Sequence, residues 1–182
     1  TTLLKLVFCA ETPDEGQILV QNRNIARLRG RDVPYLRRTM GFVFQDFRLL
    51  PKKNAFENVA LPLVVQGLST TEIKRRVTEA LKAVGIDHKK DSRPVTLSAG
   101  EQQRVCIARA IVTGPNILLA DEPTGNMDPD LAQEIFELFK VINARGTTVV
   151  VATHNRQVID QVKRRVIMLN RGRVMGDHGA GQ

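Results

Sequence analysis

Tryptophan is absent from this sequence, and tyrosine occurs once. Proteins that hold single-stranded nucleic acid stack bases on aromatic side chains, so this poverty weighs against such a platform. Cysteine occurs only twice, at Cys9 and Cys106, with no Cys-x-x-Cys pair and no zinc-type Cys/His spacing. That excludes a disulfide framework, and both residues read as buried free thiols in a reducing compartment. His88, His154 and His178 are too scattered to form a metal motif. Long apolar runs are missing as well. The longest, Val59 to Val65, is interrupted by Pro62 and falls far short of the roughly 20 residues that span a bilayer. There is no internal repeat and no low-complexity tract.

What is present is a globular composition in 182 residues, one domain's worth of chain. Basic residues outnumber acidic ones 27 to 19, for a net charge of +8. They are dispersed, with small clusters at Arg37-Arg38, Lys74-Arg75-Arg76, Lys89-Lys90 and Lys163-Arg164-Arg165. Such charge can serve nucleic acid or an anionic membrane. Spread thinly and without aromatics, it reads better as a solvated surface, and no specific nucleic acid is expected.

The chain is organised around Ile117-Leu118-Leu119-Ala120-Asp121-Glu122-Pro123. Four apolar residues in succession suit a short strand buried on both faces of a parallel sheet. Two carboxylates follow at the strand's end, where open α/β sheets place their chemistry. Taken alone, this is equally a strand followed by an acidic turn. Around it, Glu15 to Val20 reads as a turn entering a strand and Gly41 to Phe44 as a second strand, with loop and short helix between. Ser69-Thr70-Thr71-Glu72 has the form of a capping box, followed by Ile73, Val77, Ala80, Leu81 and Val84 at helical spacing. Gly85 stands where that helix should stop. Helices are expected over 99–112 and 129–144, a strand over 147–153, and a terminal hairpin around Asn170-Arg171-Gly172.

Leu97-Ser98-Ala99-Gly100-Glu101-Gln102-Gln103-Arg104 puts small residues at a helix start, where free N–H groups and the helix dipole favour phosphate. By itself it also reads as an ordinary N-cap. Its order is more specific: the Asp-Glu pair follows, then Gly125-Asn126-Met127-Asp128, then His154 at the next strand's end.

In that order the motifs resemble those of the ATP-binding-cassette (ABC) ATPases, over essentially the whole chain. Leu97 to Arg104 resembles the signature LSGGEQQR, with Ala99 for its first glycine. Ile117 to Glu122 resembles the Walker B strand and catalytic glutamate, Gly125 to Asp128 the D-loop, Gln45 the Q-loop residue and His154 the switch histidine. Thr1-Thr2-Leu3-Leu4-Lys5 resembles the residues after the glycines and lysine of a P-loop, GxxxxGK[ST]. That match implies a chain cut before Thr1, lacking the P-loop, the first strands and the adenine-stacking aromatic, and by itself unable to bind or hydrolyse ATP.

The resemblance further implies an α/β fold: a P-loop NTPase (RecA-like) core with a mainly parallel sheet, from 1–45 and 105–182, and a helical subdomain over 46–104. It implies ATP and Mg²⁺ as cofactors. Thr1, Gln45 and Asp121 would lie at the metal. Thr2, Ser98, Ala99, Gly100, Glu101 and Asp128 would serve the nucleotide. Glu122 would polarise the attacking water, and His154 would hold the γ-phosphate. Two copies would pair head to tail on ATP. An integral membrane partner would dock through the Q-loop and helical region, beside Phe47 to Pro51, holding the protein on the cytoplasmic face of the bacterial inner membrane. Gly41 to Pro51 and Glu57 to Leu63 resemble the cell-division branch of the family. The lipoprotein-releasing and macrolide-exporting branches share much of this stretch, and Asp46-Phe47-Arg48 tips the match. A nucleic-acid member of the family would need a longer span between Gln45 and Leu97, and a non-catalytic module would not need Glu122 and His154.

Overall fold

The computed structural model describes residues 1–125, 127–155, 159 and 163–179. Asn126, in the Gly125 to Asp128 run, lies outside the described residues. Three parallel strands form the central sheet: β3 (Met40–Val43), β4 (Ile117–Asp121) and β5 (Thr148–Ala152), with β4 in the middle. Strand periodicity sorts the β4 side chains to two faces. Leu118 and Ala120 join Val43 in the main core, which also takes in helices α3 (Ala55–Val65), α4 (Thr70–Ala83), α5 (Ala99–Ile111) and α6 (Pro129–Ala144). Leu119 joins Phe42 on the opposite face beneath Leu4 of the short helix α1 (Thr2–Val7). The strand is therefore covered on both faces, as its apolar run requires.

The helices follow their local signals. Asn54 and Glu57 form a reciprocal capping box that opens α3, and Ser98 and Glu101 form another that opens α5. Each such cap is worth about 1 kcal/mol. Helix α6 starts on Asp128, whose carboxylate accepts the Leu131 N–H at 2.9 Å, with Pro129 at its first position. Helix α4 has only half the expected box. Ser69 accepts the Glu72 N–H at 3.4 Å, but the Glu72 carboxylate turns to Arg75 and Arg76, at 2.7 and 2.6 Å. Two guanidinium groups outcompete one backbone amide and hold that carboxyl down at about 2.

Elsewhere the expectations shift. The first strand shrinks to β1 (Leu19–Val20), paired antiparallel with β2 (Arg23–Asn24) in a hairpin apart from the main sheet. Between it and β3 lies a short helix, α2 (Val33–Arg37). The terminal hairpin forms as expected, from β6 (Val166–Asn170) and β7 (Arg173–His178), with β7 extended to His178. Cys106 is buried and Cys9 only partly so; both are free.

Candidate functional site

All three strands of the central sheet run the same way, so their carboxyl ends share one edge. Gln45 follows β3 there, Asp121 and Glu122 end β4, and His154 follows β5. Asp121 is on the α1 face, in alternation with Leu119, and is only 5% exposed. The Thr1 hydroxyl, at the start of α1, donates to its Oδ1 at 3.0 Å. Glu122 departs from the strand: its φ is +45°, and its N–H still bonds the Ala152 carbonyl at 2.9 Å. A left-handed non-glycine residue is a costly conformation that persists only when its surroundings impose it. Here it brings the carboxylate to His154, Oε1 lying 2.8 Å from Nδ1. Against an ionised carboxylate, Nδ1 is the donor. The pair faces an open cleft of ≈ 420 Å³ lined also by Thr124, Gly125, Met127, Thr153 and Asn155.

The start of α5 stands apart from this cleft. Ser98 and Ala99 are exposed. The Ser98 oxygen accepts the Glu101 N–H at 3.2 Å, which leaves its hydroxyl proton free to donate outward. Glu101 is turned back on its own helix: its carboxylate accepts the Ser98 N–H at 2.8 Å and lies 3.6 Å from Lys89. These partners, the Ser98 amide first, lower its pKa. Gly100 is buried against the first turn of α6, where a β-carbon would lie 2.7 Å from Leu131. Thr2 is exposed in the first turn of α1. Within one chain, then, Thr1, Asp121, Glu122 and His154 are brought together, while Ser98 and its neighbours face outward at another point.

Gln103 was not anticipated. It is 1% exposed, and its amide donates to the Pro123 carbonyl at 2.7 Å, tying α5 to the residue after Glu122. A signal was available: Gln103, Cys106, Ile107 and Ala110 follow the i, i+3, i+4, i+7 spacing of a buried helical stripe. The segment after Gln45 is divided between the core and the surface. Phe47 and Leu49 turn inward against the main core, and Leu50 keeps 43% of its surface exposed.

The donor set suits a hard cation. A hydroxyl beside a buried carboxylate, with an amide oxygen available on the neighbouring strand end, are the oxygen ligands magnesium takes, completed by water and phosphate. Among the described residues, no group of three or more His, Cys, Asp or Glu could hold a metal on its own. No GxxxxGK phosphate cradle occurs among the 182 residues.

A parallel sheet with carboxylates at its carboxyl edge and a capped, glycine-bearing helix start is the ABC arrangement, and the ABC transporter family model matches residues 1–125. The chain belongs to that family. Among its relatives are cell division ATP-binding proteins FtsE. The Bacillus subtilis protein is 46% identical over 182 residues, covering 100% of this chain and 80% of that protein. The Mycobacterium tuberculosis protein is 48% identical over 181 residues, covering 100% and 79%. Among solved structures, the dimeric ABC transporter cassette MJ0796 superposes with a TM-score of 0.88 at 36% identity, over 100% of this chain and 80% of that one. Another structure of MJ0796, a dimer in a post-hydrolysis state bound to ADP and Pi, gives 0.87 at 35% identity with the same coverage.

Proposed function

We propose that this chain is part of the ATP-binding and ATP-hydrolysing subunit of a membrane complex of bacterial cell division, acting with an FtsX-like integral membrane partner. The Glu122–His154 pair at the end of the buried β4 strand, 2.8 Å apart beside Asp121, carries the reading. The similarity to FtsE proteins over the whole chain supports the cell-division assignment.

The reaction is ATP plus water to ADP plus phosphate. Glu122 accepts a proton from the attacking water, and His154, released from Glu122, donates a hydrogen bond to the γ-phosphate and keeps the water in line. Thr1, Asp121 and Gln45 would hold Mg²⁺, which when bound neutralises charge on the phosphates. Ser98, with its free hydroxyl proton, and the backbone around Ala99 and Gly100 meet the ATP held by a second copy, so the outward-facing helix start is completed by head-to-tail pairing. Asp128, at the start of α6, lies in that interface. Residues 46–104 serve as the helical arm that contacts the membrane partner. The subunit would sit peripherally on the cytoplasmic face of the inner membrane, held there by the membrane partner; no described helix is long and apolar enough to cross a membrane.

The test is Glu122→Gln in the full-length protein. Glutamine keeps the shape but accepts no proton, so kcat should fall by about 10²–10⁴-fold with ATP affinity retained. ATP-bound dimers should then accumulate in analytical ultracentrifugation. Near-normal turnover would remove Glu122 from the catalytic role.

A further inference from the structure

The segment that leaves Gln45 takes an unfavourable course. Phe47 and Arg48 are consecutive non-glycine residues with φ of +52° and +50°. The Arg48 N–H reaches back to the Asp46 carbonyl, closing a three-residue turn around Phe47. Turns of this hand are rare and strained. Something outside the turn must hold it.

The holder is the last turn of α5. Arg109 sends one nitrogen of its guanidinium to the Arg48 carbonyl at 2.6 Å and the other to the Phe47 carbonyl at 2.7 Å. Cys106, one helical turn earlier, donates its thiol to the same Phe47 carbonyl at 3.1 Å. Burial lowers the Arg109 pKa, and among the described residues no carboxylate pairs with it. Its charge is met by two backbone carbonyls. Removing a guanidinium from water without a counter-ion is costly, and short charge-assisted bonds in a fixed fork are the compensation. The downstream end of the same segment is held by Asn58 of α3. Its side chain accepts the Leu50 N–H at 2.7 Å and donates to the Leu50 and Lys53 carbonyls at 3.2 and 3.0 Å. The strap from Asp46 to Lys53 is thus pinned at one end by the half-buried Arg109 and at the other by the buried Asn58.

Helix α5 begins at the Ser98 cap, and Arg109 lies 11 residues on, about 16 Å along the axis. One rigid helix therefore carries the outward-facing start at one end and the grip on the Gln45 segment at the other.

We propose that Arg109 is a positioning residue for the nucleotide site: its fork holds the Asp46–Arg48 turn in its left-handed form and so sets where Gln45 stands at the end of β3. The inference rests on the proposed role of Gln45 at the metal. It links α5 to Gln45 mechanically, so a shift of the Ser98 end moves the Gln45 strap with it.

The experiment uses the full-length protein with Arg109→Lys, which keeps the charge but cannot bond both carbonyls in a fork. Backbone amide exchange over residues 47–50 should rise about tenfold or more, with β4 and α3 unchanged. The value of kcat should fall about tenfold while ATP affinity stays within about twofold, the signature of lost alignment without lost binding. Adding Arg48→Gly should restore kcat about threefold, because glycine adopts positive φ without steric cost. Unchanged exchange and unchanged kcat would overturn the proposal. So would exchange rising across the whole fold with ATP affinity lost, since Arg109 would then only support the core. Should the wild type neither bind nor hydrolyse ATP, the functional reading above fails, and the exchange comparison over 47–50 still decides whether Arg109 holds the turn.

Discussion

Asp121 and Glu122 are adjacent and chemically alike, yet the fold gives them different surroundings. Alternation along β4 places Asp121 under α1, where a hydroxyl meets it. The left-handed turn at the next residue carries Glu122 into the cleft instead of the apolar face shared by Leu118 and Ala120. One carboxylate suits a metal and the other a water. A second residue-level consequence concerns Cys106, whose thiol burial pushes from an ordinary 9.0 up to about 12. Burial favours the neutral thiol, so the unfolded chain loses this proton first. Below pH 9 the contribution is constant. From pH 9 to 12 the unfolded state binds fewer protons, and stability falls as pH rises, by about 1.4 kcal/mol per unit. Urea unfolding at pH 8 and pH 10 should show the wild type losing about 1.4 kcal/mol more than Cys106→Ala. Equal losses would mean the thiol is not shielded.

Among the elements, α5 is tied by its side chains to several distant parts of the fold. Its Gln103 reaches the turn after Glu122, its Arg104 spans the Val84 carbonyl at 2.8 Å and Glu134 at 2.6 Å, and its Arg109 grips the Gln45 segment. The helix also lies directly on β3. A β-carbon at Gly41 would run into the Ala110 carbonyl oxygen, a backbone atom that cannot swing aside. Gly41→Ala should therefore force α5 off the sheet and lower the stability of the domain by about 1–3 kcal/mol in denaturant unfolding. Gly100→Ala is expected to be milder, because its β-carbon would meet the side chain of Leu131, which can change rotamer. Equal tolerance at both positions would show that close approach of α5 to β3 is not what Gly41 provides.

At the scale of the molecule, one continuous core runs from α3 through α6 and under the sheet. Residues 46–104 are thus packed onto the strands that carry the carboxylates, and force on the helical region can reach the site. Leu50 is the apolar side chain left outward next to Phe47 and Leu49, within the strap. In the proposed complex, Leu50→Ser should weaken binding of the membrane partner about tenfold while ATPase activity of the free subunit stays near wild type. Leu49→Ser should lower thermal stability as well, since Leu49 packs against the core. Pull-down with the membrane partner and ATPase assay, run on the same preparations, separate the two effects. Parallel loss of both in Leu50→Ser would place that residue inside the packing rather than on the docking surface.

Local physics was enough to place much of the fold from the sequence alone. Caps and helical spacing mark α5 and α6 to within a residue of their observed ends, and the apolar run of β4 marks a strand covered on both faces. The order of Gln45, the Ser98 helix, the Asp121–Glu122 pair and His154 marks the family, because each motif is short and contiguous. Other features depend on partners distant along the chain, and no local pattern encodes them. Thr1 meets Asp121 across 120 residues, and Arg109 meets Phe47 across 62. The half-formed box at Glu72 was decided by two arginines competing with one amide. The inward turn of Phe47 and Leu49 was decided by the core space beside them. In each case the choice lies between several locally acceptable partners, and only the packed chain brings the winning one within reach.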